Sequence, residues 1–219
     1  MSRFLQNLKP ESYANGLIIP FVDSIEFMVL ALGLSQQNVK FVRLRYEKDA
    51  KKDDRFVQAS VLLTTAYKNF GGTAEFFHSN IEWDIFNLSV KVGFVNPTAL
   101  LNALHKSMSL VDVRPILVPY SITDYYRGIP LLRGNSSPLS EITKEQVYAL
   151  AQNLQVPLKV INEYRRMDIE TAEHMGLTHK EIEWAHFELQ KSGWDSYLNN
   201  NYTEEQRDAL LFARARGRS

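Results

Sequence analysis

Between residues 39 and 119 the chain alternates between a two-residue and a helical hydrophobic period. That order limits the folds open to it more than any other feature. From Val39 to Tyr46 the side chains alternate, Val42, Leu44 and Tyr46 on one face and Phe41, Arg43 and Arg45 on the other. This is the pattern of a strand with one buried face. A charged loop over 47–54 precedes a helix carrying Phe56, Ala59, Leu63, Ala66 and Phe70, which Gly71 and Gly72 end. Thr73 to Phe77 reads as a short strand, and Glu82 to Val95 as a long alternating one. Asn96-Pro97 opens a helix with Leu100, Leu101 and Leu104, and Val111 to Val118 reads as a last strand before Pro119. The order β-α-β-β-α-β predicts an α+β fold whose sheet is ferredoxin-like (βαββαβ), with the strands at 39–46 and 82–94 adjacent in its middle.

Around this core the chain predicts three parts. Residues 1–120 form the sheet domain with a leading helix, 121–140 a linker or extended arm, and 141–219 a helical domain with helix-turn-helix-like hairpins. Residues 1–20 read as a short helical arm and a turn. The apolar run from Leu17 to Leu34 reads as a buried helix, because Pro20, Asp23 and Glu26 make it a poor membrane span. Asp23 is placed to cap it. Helices are expected at about 143–154, 157–166, 168–175, 178–192 and 203–215.

Composition removes whole classes of chemistry. The chain has no cysteine, which excludes disulfides, thiolate metal sites and a cysteine nucleophile. Lys+Arg and Asp+Glu number 25 each, so a nucleic-acid contact needs a local patch. No apolar leader is visible at the N-terminus, and a cytoplasmic location is expected. Gly71-Gly72 ends a helix where a phosphate-cradling loop would begin one. No cofactor is expected, and no membrane contact.

Two local patterns suggest binding surfaces. The first runs Leu150-Ala151-Gln152-Asn153-Leu154-Gln155-Val156-Pro157, then Val160-Ile161, and has the rhythm of a helix-turn-helix. Its second helix offers Lys159, Arg165 and Arg166 to phosphates. A similar rhythm, Ala172, Gly176 and Ile182, leads into a helix whose Glu181, Glu183 and Glu188 oppose contact with DNA. The second pattern is the outward sheet face, where Phe41, Arg43 and Arg45 join Trp83, Asn87 and Lys91. Rings for stacking beside cations for a backbone suit a single strand. Ile85 in the middle of that face argues instead for a lid, with Phe41 and Trp83 in the core.

Other clusters carry less. Glu183-x-x-His186 and Glu75-x-x-His78 have the spacing of a di-iron ligand pair, but Glu75 and His78 sit on a strand and alternate faces. Glu82 and Asp84 share a strand face without a third ligand. Tyr125, Tyr126 and Arg127 in the linker suit a protein contact, since Tyr and Arg dominate interface hot spots. Three arginines close the chain. The sequence therefore predicts a non-catalytic nucleic-acid-associated protein using the hairpin, the sheet face, or both. The alternative is a structural or assembly subunit contacting protein partners, or copies of itself, through its N-terminal arm, linker and aromatic loops. An enzyme with sheet carboxylates ranks third.

Overall fold

The computed structural model describes residues 16–44, 50–79, 117, 119–122, 137–193 and 201–217. The chain divides into two units, Met1–Pro119 with Pro130–Leu139, and Tyr120–Ile129 with Ser140–Ser219.

The first unit is built on a parallel sheet. Strand β1 (Leu17–Pro20) leads through helix α1 (Ile25–Gly33) to β2 (Asn38–Leu44), and β2 leads through α2 (Ala50–Phe70) to β3 (Thr73–Ser79). The strands lie in the order β1-β2-β3. Leu17 pairs with Val39, and Phe41 pairs with Phe76. A parallel strand is covered on both faces and so reads as a continuous apolar run. β1 is Leu-Ile-Ile-Pro, and every residue of it is buried. Helix α1 is equally enclosed, with all residues from Ile25 to Leu32 buried.

The side of the sheet that carries Phe41 faces these two helices. The Phe41 ring stacks on Phe76 at 5.2 Å and meets Phe27 of α1 and Tyr67 of α2 edge-on, each at 5.7 Å. Tyr67 closes the layer by donating its buried hydroxyl to the Ala31 carbonyl at 2.8 Å. On the opposite side Lys40 lies 4.0 Å over the Phe77 ring.

These observations correct the ferredoxin-like expectation. That arrangement inserts a strand between the two that flank the first helix, whereas here β2 and β3 are direct neighbours and parallel. The expectation missed β1, which pairs along the other edge of β2. The expected central strand at 82–94 lies outside the described residues. Of the expected strand at 111–118, Leu117 is described. It donates its N–H to the Ile18 carbonyl at 2.9 Å, on the far side of β1.

The second unit holds helices α3 (Lys144–Asn153), α4 (Leu158–Met175), α5 (His179–Ser192) and α6 (Glu204–Gly217). Reciprocal hydrogen bonds between Thr143 and Gln146, and between Thr178 and Glu181, start α3 and α5. Where two helices were expected between 157 and 175, α4 runs through without a break. Gly176, at φ +70°, then supplies the left-handed residue that turns the chain toward α5. Ile182, Ala185 and Leu189 of α5 pack with Ala209, Leu210 and Ala213 of α6 and with Ile122. Among the described residues no helix is long and apolar enough to cross a membrane.

Candidate functional site

In an open parallel sheet, ligands bind beyond the carboxyl ends of the strands, where the strand order reverses direction. That reversal falls at β1 in this chain. β2 and β3 lie to one side of β1, and the chain returns at Leu117 on the other. The residues just beyond β1 are Phe21, Val22, Asp23 and Ser24.

Phe21, Asp23 and Ser24 each have a defined role in the turn. The Phe21 N–H donates to the Val42 carbonyl at 2.8 Å, so the ladder with β2 continues one residue past the strand. The Phe21 ring sits edge-on between Phe27 and Phe56, 4.9 Å from each, and joins the turn to both helices. Ser24 caps α1 by accepting the Phe27 N–H at 3.2 Å. The expected cap, Asp23, is one residue too early. Its Oδ1 instead accepts from Arg55 of α2 at 3.2 Å, with both side chains largely screened from solvent. Glu26 is fully buried in the first turn of α1, and Arg43 is buried near the end of β2. The Asp23–Arg55 pair thus stands beside the amino end of α1, whose first turn carries the buried Glu26. The turn contains no glycine. A ligand here meets side chains and the leading N–H groups of α1, without the close backbone wrap that glycine-rich loops provide.

The second unit contains a polar node joining three helices. Asp168 of α4 takes the Tyr148 hydroxyl of α3 on Oδ2, and Lys144 Nζ stands 3.2 Å from the same oxygen. His179 at the start of α5 places Nε2 3.3 Å from the Asp168 carbonyl oxygen. The Lys144 N–H donates to the buried Glu183 carboxylate at 2.5 Å. Lys144 is itself almost wholly enclosed. Such a node fixes the mutual setting of α3, α4 and α5, because Lys144 of α3 finds its counter-charge in Asp168 of α4 and the Glu183 carboxylate of α5 takes the first N–H of α3.

The residues singled out from sequence are scattered. Phe41 and Arg43 are 0% and 4% exposed, so of the two readings of this face, open for stacking or covered, the covered one applies at these residues, with α1 and α2 over them. Arg45, Trp83, Lys91, Tyr125, Tyr126 and Arg127 lie outside the described residues. Lys159, Arg165 and Arg166 are exposed on α4. Arg165 stands 3.6 Å from Glu145 and stacks over the Tyr148 ring at 4.6 Å, so its charge already has local partners. Glu183 is committed to capping α3 and Glu75 is exposed on β3. No group of three or more His, Asp or Glu among the described residues is placed to hold a metal ion. Sequence reasoning missed the β1–α1 turn as a candidate site. The signal was the short β-branched run Leu17–Pro20 ahead of Asp23-Ser24, which marks a strand feeding a capped helix.

No family model matches the chain, and no curated protein matches its sequence. Its structure is similar to that of NMN synthetase from Francisella tularensis, with a TM-score of 0.62 at 15% identity over 99% of this chain and 93% of that one. A second match, glutamine-dependent NAD+ synthetase from Acinetobacter baumannii in complex with adenosine diphosphate, has a TM-score of 0.47 at 14% identity. It covers 98% of this chain and 44% of that one. The covered sheet face removes the expected single-strand-binding surface, and with an NMN synthetase as its structural neighbour the expectation of a non-catalytic nucleic-acid-associated protein, or of a structural assembly subunit, is corrected. The fold is a parallel, Rossmann-type α/β arrangement shared with the Francisella NMN synthetase.

Proposed function

We propose that the chain is an enzyme of nucleotide metabolism that holds a mononucleotide beyond the carboxyl end of β1. The observation that carries this reading is the reversal of strand order at β1, with Asp23 and Ser24 placed just beyond it. The likeness in fold to an NMN synthetase over nearly the whole of both chains supports a substrate of the same class. Arg55 and the leading N–H groups of α1 supply the positive end that a phosphate needs. Asp23 is held by Arg55 and faces the same turn, where a carboxylate suits the hydroxyls of a ribose. Because the turn lacks glycine, recognition rests on these side chains, and a change at Arg55 acts on the phosphate and on Asp23 together.

Calorimetric titration of the full chain with NMN and with adenosine nucleotides tests the reading. Saturable binding of at least one of them is expected, and Arg55→Ala should weaken it about tenfold or more, the loss of a charge-assisted contact. A folded wild-type chain that binds no mononucleotide at millimolar concentration sinks the proposal.

A further inference from the structure

Helix α2 has two faces. Phe56, Ala59, Leu63 and Tyr67 are buried on the sheet side. The opposite side carries a second stripe, Asp54, Val57, Val61, Thr65 and Lys68, all exposed. Their spacings of 3, 4, 4 and 3 keep the stripe within a narrow arc along about four turns of helix. Val57 and Val61 are 56% and 66% exposed, an unusual pair of β-branched apolar groups for a solvated helix face. Thr65 turns its hydroxyl back onto its own helix, to the Val61 carbonyl at 3.1 Å, and Ser60 does the same to Val57 at 2.7 Å. This satisfies the hydroxyls internally and leaves the Thr65 methyl group on the stripe.

The stripe is symmetric about Val61, and its charges are opposite at the two ends. We propose that this face of α2 docks against the same face of a second copy, antiparallel, with Val61 on the two-fold axis. In that register Val61 meets Val61, Val57 meets Thr65, and Asp54 meets Lys68 at both ends of the pair. A parallel pairing would instead set Asp54 against Asp54 and Lys68 against Lys68. Isologous contact of this kind is the commonest way soluble chains associate, and charge complementarity fixes the register. Residues no larger than valine and threonine at the centre let the two helices approach closely. A single helix pair buries less than a standard interface, so the association is weak, with a dissociation constant on the order of micromolar to tens of micromolar. The pairing stands on α2 alone and is independent of the nucleotide reading.

Sedimentation velocity of the full chain over a concentration series tests it. The wild type should pass from monomer to dimer. Val61→Glu places like charges on the axis and should raise the dissociation constant about tenfold or more, with an unchanged melting temperature because the site is exposed in the monomer. Asp54→Lys alone and Lys68→Asp alone should weaken the dimer, and the two together should restore it, a rescue that loss of folding cannot mimic. Val61→Cys introduces the sole thiol of a cysteine-free chain. It should form an intermolecular disulfide under mild oxidation, as two residues on a close two-fold axis can. Lys159→Cys, exposed on α4, should not. A wild type that stays monomeric at concentrations on the order of 100 µM overturns the proposal. So does a dimer that survives Val61→Glu unchanged.

Discussion

Single residues in this chain are constrained by what their neighbours leave free. Gly72 shows this most sharply. A Cβ there would run into the Ser35 carbonyl oxygen and approach that of Gln37 to 2.5 Å, both of them backbone atoms that cannot turn away. Gly72→Ala should therefore cost about 1–3 kcal/mol, the range for forcing extra volume into a packed site, read as a lower midpoint in urea. Its neighbour Gly71 is needed for a different reason. At φ +85° it has open space around its α-carbon, so the backbone conformation alone selects glycine. Gln155 occupies the same left-handed region at φ 59° between α3 and α4, without being glycine. Gln155→Gly should raise stability by up to about 1 kcal/mol, since the strain removed slightly exceeds the added chain entropy. His186 marks a titrating position. Burial pushes its pKa below the ordinary histidine range, and Glu141 only partly offsets this. Its folded pKa is thus lower than its unfolded one. The stability it contributes is complete above about pH 6.5 and is lost as pH falls through the folded value. Urea midpoints measured from pH 7.5 to 5 should fall, and His186→Gln should flatten that fall.

The elements show where the sequence was legible and where it was not. β2, α2 and the end of α2 at Gly71-Gly72 follow from period and punctuation, because a long amphipathic helix and a seven-residue strand each repeat their pattern several times. β1 was hidden because its four residues are all buried. A short, wholly apolar run has the same appearance in a strand and in a buried helix. Its merger with α1 into one apolar stretch concealed both the strand and the turn between them. The faces of β2 were exchanged for a related reason. Phe41 and Val42 are both buried, so alternation on a doubly covered strand carries no sign. The Tyr67–Ala31 bond ties α2 to α1 across this covered side. Tyr67→Phe removes it and leaves a buried carbonyl with one partner fewer. The expected loss is about 1–2 kcal/mol by chemical denaturation, with no change in the far-UV spectrum. In the second unit Asp168 collects Tyr148 and Lys144 from α3. Asp168→Ala breaks both contacts at once and should cost about 3 kcal/mol, the low end for a buried pair because Asp168 retains some solvent contact. Hydrogen exchange should then show α3 and α4 opening ahead of α5 and α6.

At the scale of the whole molecule, the site depends on strand order, and a sequence fixes order only through contacts distant along the chain. A helix start was visible at Asp23, one residue ahead of the actual cap Ser24. Nothing local revealed that the strand before them borders β2 on one side and Leu117, about a hundred residues later, on the other. Arg55 lies 32 positions from Asp23, and the parallel pairing of β1 with β2 brings the start of α2 back to the turn. A ligand bound there contacts β1, α1 and α2 together, and so couples to the stability of the first unit as a whole. Binding to the folded chain alone raises its unfolding free energy by about 2.7 kcal/mol at a hundredfold excess over the dissociation constant. For a chain of this length that corresponds to a rise in melting temperature of roughly 5–10 °C. On the proposed reading, a panel of mononucleotides screened by thermal melting should show such a rise for at least one of them. Arg55→Ala should cut the rise by about half or more, since a tenfold weaker dissociation constant leaves about 1.4 kcal/mol at the same ligand concentration, while melting without ligand within a few degrees of wild type, because a partly exposed ion pair contributes at most about 1 kcal/mol. A single-stranded oligonucleotide should produce no rise at low salt, since the sheet face that would have stacked its bases is filled by Phe27, Tyr67 and Phe76. If the oligonucleotide stabilises the chain and every mononucleotide leaves it unmoved, the site beyond β1 has been assigned the wrong ligand.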